Sequence, residues 1–244
     1  MTVLTVEHVS VSFGGVHALT DVDLIVEADA VTGLIGPNGA GKTTLFNVIS
    51  GLQTPDRGRV TLDDKDITSL KPYQRARLGI GRTFQRLEVF GSLTVRDNVR
   101  VSAEILKNWK RDAPDPQAVA DEILDRIDLR DVAHHRADEL PTGLARLVEL
   151  GRALAVQPRV LLLDEPSAGL DEAETDRLAA LLKELSKGGL AVLLVEHDVQ
   201  FVVHVCRLIQ VLDFGRILAA GTPSEIQRSA AVRAAYLGGA GARR

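Results

Sequence analysis

The chain has 244 residues, 45% hydrophobic and 25% charged, and its 29 Lys and Arg against 33 Asp and Glu give a formal charge of −4. That balance fits one large globular domain, or one core with a smaller appendage. It excludes wholesale disorder and gives no support to general nucleic-acid binding. The single cysteine, Cys206, excludes an internal disulfide and any multi-cysteine metal site, as suits a reducing cytoplasm. No secretory leader is expected from Met1 to Glu7, and the longest apolar runs fall far short of the ~20 residues that cross a bilayer.

At the start, Val3, Thr5 and Glu7 alternate with Leu4 and Val6, which predicts a strand. Phe13-Gly14-Gly15 predicts a turn, and Asp21 to Val26 a second strand with Val22, Leu24 and Val26 on one face. Val31 to Ile35 is a short apolar strand ending in a glycine-rich turn. Thr43 to Ser50 then predicts a helix offering Leu45, Val48 and Ile49 to the core. Gly58 to Leu62 predicts another strand between the Pro55-Asp56 and Asp63-Asp64 turns.

The middle changes texture. Asp112, Pro114, Asp115 and Pro116 form a breaker cluster, after which Val119, Ile123 and Ile127 repeat at helical spacing. Leu147, Leu150 and Leu154 form a helical stripe within Leu144 to Val156. These elements place a helical subdomain at roughly residues 87–156 of a single domain spanning 1–244. Strand and helix then alternate. Val160 to Leu163 and Ala191 to Val195 read as strands buried on both faces, and Glu172 to Leu185 as a helix with Leu178, Leu181, Leu182 and Leu185 inward. Leu208 to Leu212 and Ile217 to Ala219 flank a hairpin turn at Asp213-Phe214-Gly215-Arg216. The alternation predicts an α/β core with a mainly parallel sheet. Gly238 to Arg244 reads as a frayed tail.

Gly36-Pro37-Asn38-Gly39-Ala40-Gly41-Lys42-Thr43 fits G-x-x-x-x-G-K-[ST] and lies between a strand and a helix, the context that this phosphate-binding motif requires. Glycines let backbone N–H groups converge on an anion, and the helix N-terminus adds partial positive charge. Lys42 has the reach for β- and γ-phosphates, and the Thr43 hydroxyl suits Mg²⁺. Asp164-Glu165 ends an apolar strand, where open α/β sheets hold their ligands. Asp164 is the candidate to hold Mg²⁺ and Glu165 the candidate base for an attacking water.

Further pieces fall into one order: Phe13; Gly36 to Thr44; Gln85 in Arg82-Thr83-Phe84-Gln85; Leu140-Pro141-Thr142-Gly143-Leu144; Asp164-Glu165; Ser167-Ala168-Gly169-Leu170-Asp171; and His197 in Val195-Glu196-His197-Asp198. Over essentially the whole chain this resembles the nucleotide-binding subunits of ATP-binding-cassette (ABC) transporters. Gly81 to Gln85, Ser167 to Leu170 and Ala235-Tyr236-Leu237-Gly238 resemble the branch that serves branched-chain amino-acid importers.

The resemblance implies an α/β fold with a P-loop core, an N-terminal antiparallel β subdomain and a helical subdomain. It implies a pair of such subunits, alike or different, sandwiching two ATP molecules and driving integral membrane permease subunits, with a solute-binding protein as a further partner and no nucleic acid. The chain itself would lie in the cytoplasm on the inner face of the cell membrane. Residue by residue, it implies that Phe13 stacks on adenine, though Phe at a strand end is also a common core residue. Gly36, Asn38, Gly39, Ala40, Gly41, Lys42, Thr43 and Thr44 would bind the phosphates, and Gly143 those of the partner. Gln85, with Thr43 and Asp164, would meet Mg²⁺. Glu165, His197, Gln85 and Lys42 would carry catalysis, His197 by sensing the γ-phosphate. Asp171 would contact the partner or simply cap its helix.

One motif departs from the family, whose signature reads Leu-Ser-Gly-Gly-Gln. Here Leu140 to Leu144 lacks the serine hydroxyl, and Leu144 has no amide. Gly143 keeps the close backbone approach, Pro141 suits a helix start, and Thr142 offers a hydroxyl. A weakened signature and slower turnover are expected. An asymmetric heterodimer is the alternative reading, and a soluble non-transport ABC ATPase a third. His134-His135 does not read as a metal site, and Lys107, Lys110 and Arg111 around Trp109 read as a solvated basic surface.

Overall fold

The computed structural model describes residues 1–241. In chain order its elements are β1 (Thr2–Phe13), β2 (Val16–Glu27), β3 (Val31–Ile35), α1 (Lys42–Ser50), β4 (Arg57–Leu62), β5 (Lys65–Asp66), α2 (Pro72–Arg77), β6 (Ile80–Arg82) and α3 (Val95–Trp109). Then follow α4 (Pro116–Arg126), α5 (Thr142–Ala155), β7 (Val160–Asp164), α6 (Glu172–Lys187), β8 (Ala191–Val195), α7 (Val199–Val205), β9 (Leu208–Asp213), β10 (Arg216–Gly221), α8 (Pro223–Arg228) and α9 (Ala230–Gly241). Two short 3-10 turns, Arg130–Val132 and Ala137–Glu139, lie between α4 and α5.

Two sheets divide the strands. The first is antiparallel with order β2-β1-β4-β5. The second has order β10-β9-β3-β8-β7-β6 and is parallel except at β10, as the strand–helix alternation predicts. In β1, His8 at φ 51° marks a bulge between Val6 and Val9, which moves the buried set from Leu4 and Val6 to Val9 and Val11 without turning either pair to solvent.

The parallel strands are buried on both faces, and alternate residues feed two cores. Leu161 and Leu163 of β7 join the core formed with α3 to α7, and Val160 and Leu162 join the one shared with α1 and the antiparallel sheet. On the second side, α1 is fixed at its far end by Arg75. This residue is 1% exposed, and its guanidinium donates to the carbonyls of Val48 (2.6 Å), Ile49 (2.8 Å), Thr68 (2.8 Å) and Leu70 (3.0 Å). A helix C-terminus leaves carbonyls unpaired, and Arg75 satisfies them.

Within residues 87–156, α3, α4 and α5 pack on one another. The sequence reading did not identify α3. Thr94 caps it by accepting from Asp97 N–H, and Val95, Val99, Ala103 and Leu106 are its buried stripe. It also did not identify α2, β6, α7 or α8. At the chain end, α9 runs to Gly241 through part of the stretch read as a tail, and positions 242–244 lie outside the described residues.

Candidate active site

The turn from β3 into α1 is shaped by contact with neighbouring backbone. Gly36 has φ 155°, and a Cβ there would stand 2.0 Å from the Leu212 carbonyl oxygen; at Gly41, φ 107°, a Cβ would stand 2.5 Å from that of Ala18. Only glycine fits at either position. Gly41 caps α1 without a side-chain hydrogen bond, so the first N–H groups of the helix are available to an anion. Lys42, 8% exposed, donates from Nζ to Gly36 O at 2.7 Å and Pro37 O at 2.9 Å, tying the loop together with a third proton to spare. Burial pulls its ammonium below the ordinary value, while Glu165 and Asp164 act in the opposite direction.

The acidic side comes from the ends of β7 and β8, which are adjacent. Asp164 is 4% exposed; burial pushes its carboxyl up, and Arg82 draws it back. The Arg82 guanidinium lies 3.8 Å from Asp164 Oδ2 and donates to Asn47 Oδ1 and Ser50 Oγ, at 2.8 and 2.9 Å. It stacks over Phe46 and Phe84. The Asp164 N–H donates to Thr83 Oγ1 at 3.3 Å. Glu165 adopts φ 52°, a left-handed conformation unusual outside glycine, held by its N–H donating to Val195 O at 2.9 Å. Its Oε1 lies 2.7 Å from His197 Nε2 and 3.5 Å from Gln85 Nε2. Behind His197, the buried Glu196 accepts from the His197 N–H at 3.0 Å, and from Ser167 N–H and Oγ at 2.9 and 2.5 Å.

These groups surround one cavity of about 230 Å³, with Asn38, Gly39, Gly41, Lys42, Thr43 and Thr44 on one wall and Gln85, Asp164, Glu165 and His197 on the other. Thr43, Gln85 and Asp164 form an oxygen-only donor set containing one carboxylate. That chemistry fits Mg²⁺ arriving with phosphate oxygens rather than a metal caged by protein alone.

Other candidates lie outside this lining. Gly36 shapes the turn, and Ala40 is buried with its carbonyl accepting the Gly215 N–H at 2.9 Å. Phe13 ends β1 at the hairpin and is 50% exposed, so it is not a core aromatic. Gly143 lies in the first turn of α5, where a Cβ would stand 2.7 Å from Gly169 O. Leu144 is half-buried and lines a cleft of about 280 Å³ whose floor includes Ile127, Leu147, Leu178 and Leu181 and whose lining also holds Arg126, Asp128, Glu174, Arg177 and Glu184. Asp171 caps α6 by accepting from Glu174 N–H. Trp109 and Lys110 line a different cavity of about 460 Å³, and Arg77 stacks against Trp109 at 5.5 Å. Sequence reasoning missed Arg82, Thr83 and Glu196 as parts of the site. The only available signal was adjacency to Gln85 and His197.

The family described as "ABC transporter" matches residues 19–168, and a family described as "Branched-chain amino acid ATP-binding cassette transporter" matches residues 216–242. The chain is 38% identical to the high-affinity branched-chain amino acid transport ATP-binding protein BraF of Pseudomonas aeruginosa, covering 97% of this chain and 98% of that protein. It is 35% identical to the lipopolysaccharide export system ATP-binding protein LptB of Haemophilus influenzae, covering 98% of each. Among solved structures, an ATP-binding cassette of an ABC transporter in its ADP conformation superposes with TM-score 0.86 at 32% identity, covering 98% of this chain and 99% of that one. A dimeric post-hydrolysis cassette bound to ADP and phosphate superposes with TM-score 0.80 at 27% identity, over 90% and 98%. The chain therefore belongs to the ATP-binding subunits of ABC transporters, and it is an ATPase.

Proposed function

We propose that this subunit powers an importer of branched-chain amino acids or similar small solutes, acting from the inner face of the cell membrane on integral permease subunits and served by a solute-binding protein. The convergence of Lys42, Thr43, Asp164, Glu165, His197 and Gln85 on one cavity carries the catalytic part of this reading. The match over residues 216–242 supports the solute class. No helix among the described residues is long and apolar enough to cross a membrane, so the permease would be a separate contribution.

The triphosphate lies along the turn from Gly36 to Thr44, with adenine against Phe13. Lys42 gives its third proton to a β- or γ-oxygen. Thr43, Gln85 and Asp164 would hold Mg²⁺ brought with the nucleotide, which would supply neutralisation of charge on the phosphate oxygens. Glu165 takes a proton from water as the water oxygen bonds to the γ-phosphorus. The bond from that phosphorus to the bridging oxygen breaks, and its electron pair leaves on ADP. His197 orients Glu165 and donates to the γ-phosphate. Thr142 and Gly143 complete the site of a second subunit.

Light scattering on Glu165→Gln, with and without Mg-ATP, tests this. An ATP-dependent dimer supports two like subunits. A monomer that binds ATP favours an asymmetric pair, the reading that Leu144 suggests. LptB-like export is the second reading for cargo, favoured by identity along nearly the whole chain. Co-purification of permease subunits followed by solute uptake in vesicles separates the two.

A further inference from the structure

Between β6 and α3 the chain carries Gln85 without regular structure, and three side chains of α5 grip that segment by its backbone. Arg146 Nη2 donates to Gln85 O at 3.2 Å, Glu149 Oε1 accepts from Glu88 N–H at 2.7 Å, and Arg152 donates to Glu88 O. The three stand three residues apart and share one helical stripe. Glu149 is 6% exposed. A buried carboxylate is costly unless it is hydrogen-bonded, and an apolar residue would pack this stripe at no such cost. Burial pushes the Glu149 carboxyl up, against the Glu88 N–H and the flanking arginines. The same helix begins at Thr142 and Gly143, so one rigid element carries both the grip on the Gln85 segment and the residues that would face a second subunit's nucleotide, about 10 Å apart at 1.5 Å of rise per residue.

We propose that Glu149 is a positioning residue for Gln85: through Glu88 it locks the Gln85 segment to α5, so that engagement of Thr142 and Gly143 by a second subunit's nucleotide sets where Gln85 stands against Glu165. This rests on the ATPase reading given above and adds to it a link between the two sites. Removing Glu149 leaves the phosphate loop intact and frees the Glu88 N–H, with Arg146 still on the Gln85 carbonyl, so the segment loosens at its far end and Gln85 shifts against Glu165 and against the Mg²⁺ that it would meet. The signature is therefore a change in turnover and Mg²⁺ response without a change in nucleotide affinity.

The test measures Mg-ATP turnover of the full chain across Mg²⁺ concentrations, and ATP affinity without Mg²⁺, in wild type, Glu149→Ala, Glu149→Gln, Gln85→Ala and Gln85→Ala with Glu149→Ala. Glu149→Ala is expected to lower kcat about tenfold or more, as small misplacements of reacting groups do. It should raise the Mg²⁺ needed for half-maximal turnover and leave ATP affinity unchanged. The double variant is expected to match Gln85→Ala alone. Glu149→Gln, which keeps an acceptor oxygen for Glu88, is expected to restore most of the activity. Additive losses in the double variant, or Glu149→Ala with wild-type kcat and Mg²⁺ response, would overturn the proposal. If Glu149→Ala does not fold, the Glu88 amide decides by hydrogen exchange: slow exchange in wild type and in Glu149→Gln supports the lock, and fast exchange in wild type overturns it. A wild type without Mg-ATP turnover even when assembled with its co-purified partner subunits would overturn the ATPase reading and this inference together, whereas an active wild type with an indifferent Glu149→Ala overturns this inference alone.

Discussion

Glu165 Oε1 stands 2.7 Å from His197 Nε2, and the two residues leave the ends of adjacent parallel strands, so the sheet itself sets their separation. Gln85 Nε2 reaches the same oxygen at 3.5 Å from a third segment. Under the proposed mechanism the imidazole both aims the carboxylate and contacts the γ-phosphate. His197→Ala is expected to lower kcat by about 10²–10³, the cost of removing one transition-state hydrogen-bond donor. ATP affinity should stay near wild type. Steady-state kinetics with equilibrium binding check this, and an equal loss in both would mean that His197 acts on the ground state.

Asp164 gives a prediction in the opposite direction, on stability. Burial raises its folded-state pKa above the ordinary 3.8, so the folded chain holds this proton more tightly than the unfolded chain does. The associated stability is full below the ordinary value and is lost as pH rises through the raised one. At neutral pH the ionised carboxylate therefore burdens the fold. Asp164→Asn is expected to abolish Mg²⁺-dependent turnover yet raise Tm at pH 7, each kcal/mol being about 2–4 °C for a chain of this size. The advantage should vanish towards pH 3.8. Thermal melts across pH measure it, and a lower Tm at pH 7 would show that Arg82 needs the charge.

Leu144 is half-buried beside Leu147, Leu178 and Leu181, in a seam that charged residues also line, at the place where the family carries an amide. Leu144→Gln puts a polar group into that seam and is expected to lower Tm. Turned out of the seam instead, the new amide would offer a donor to the partner's phosphate. One hydrogen bond to a charged group contributes about 1.5–3 kcal/mol, so turnover of the assembled complex should rise roughly tenfold or more. Unchanged turnover with lowered Tm would leave Leu144 a packing residue only.

Arg75 is a purely structural counterpart. Burial lowers its guanidinium to about 10, which leaves it cationic at neutral pH. Arg75→Met removes the donors for four carbonyls, two of them at the end of α1. The expected loss is about 4 kcal/mol or more of stability, since each buried unsatisfied group costs roughly 1–3 kcal/mol. Denaturant titration reads this as a lower midpoint at unchanged slope.

The parts of the site that were legible in the sequence share one grammar: a short, wholly apolar strand followed at once by the reactive residues. Val31 to Ile35 announces the phosphate loop and Val160 to Leu163 announces Asp164 and Glu165, whereas His197, beyond Ala191 to Val195, was legible only through the family's motif order, as was Gln85. All three strands lie side by side in the sheet. Local chain order therefore carried the geometry. Residues whose role depends on pairing were not legible. Arg82 reads as one more basic residue until β6 pairs with β7, with Arg82 opposite Leu162, and its guanidinium lies beside Asp164. Glu196 reads as the neighbour of a histidine until it binds Ser167. In α3 Val95, Val99, Ala103 and Leu106 recur at helical spacing behind the Thr94 cap, with Arg96, Asp97, Arg100 and Glu104 between them, so this helix was legible in the sequence and was missed. Leu144 was legible as a missing hydrogen bond, but the seam that it lines was not.

The central strand β3 is made early and finds its neighbours late. It lies between β8 and β9, and the loop that it feeds is wedged between Ala18 on one side and Gly215 on the other. During synthesis the phosphate loop therefore leaves the ribosome with every glycine and the Ala18 side of its wedge made, but without Leu212 and Gly215 on the other side. A nascent chain that has reached only α6 carries the whole motif yet lacks the two strands that hold β3 in register. A premature stop before the β9–β10 hairpin therefore leaves a recognisable motif without the contacts that shape it into a site.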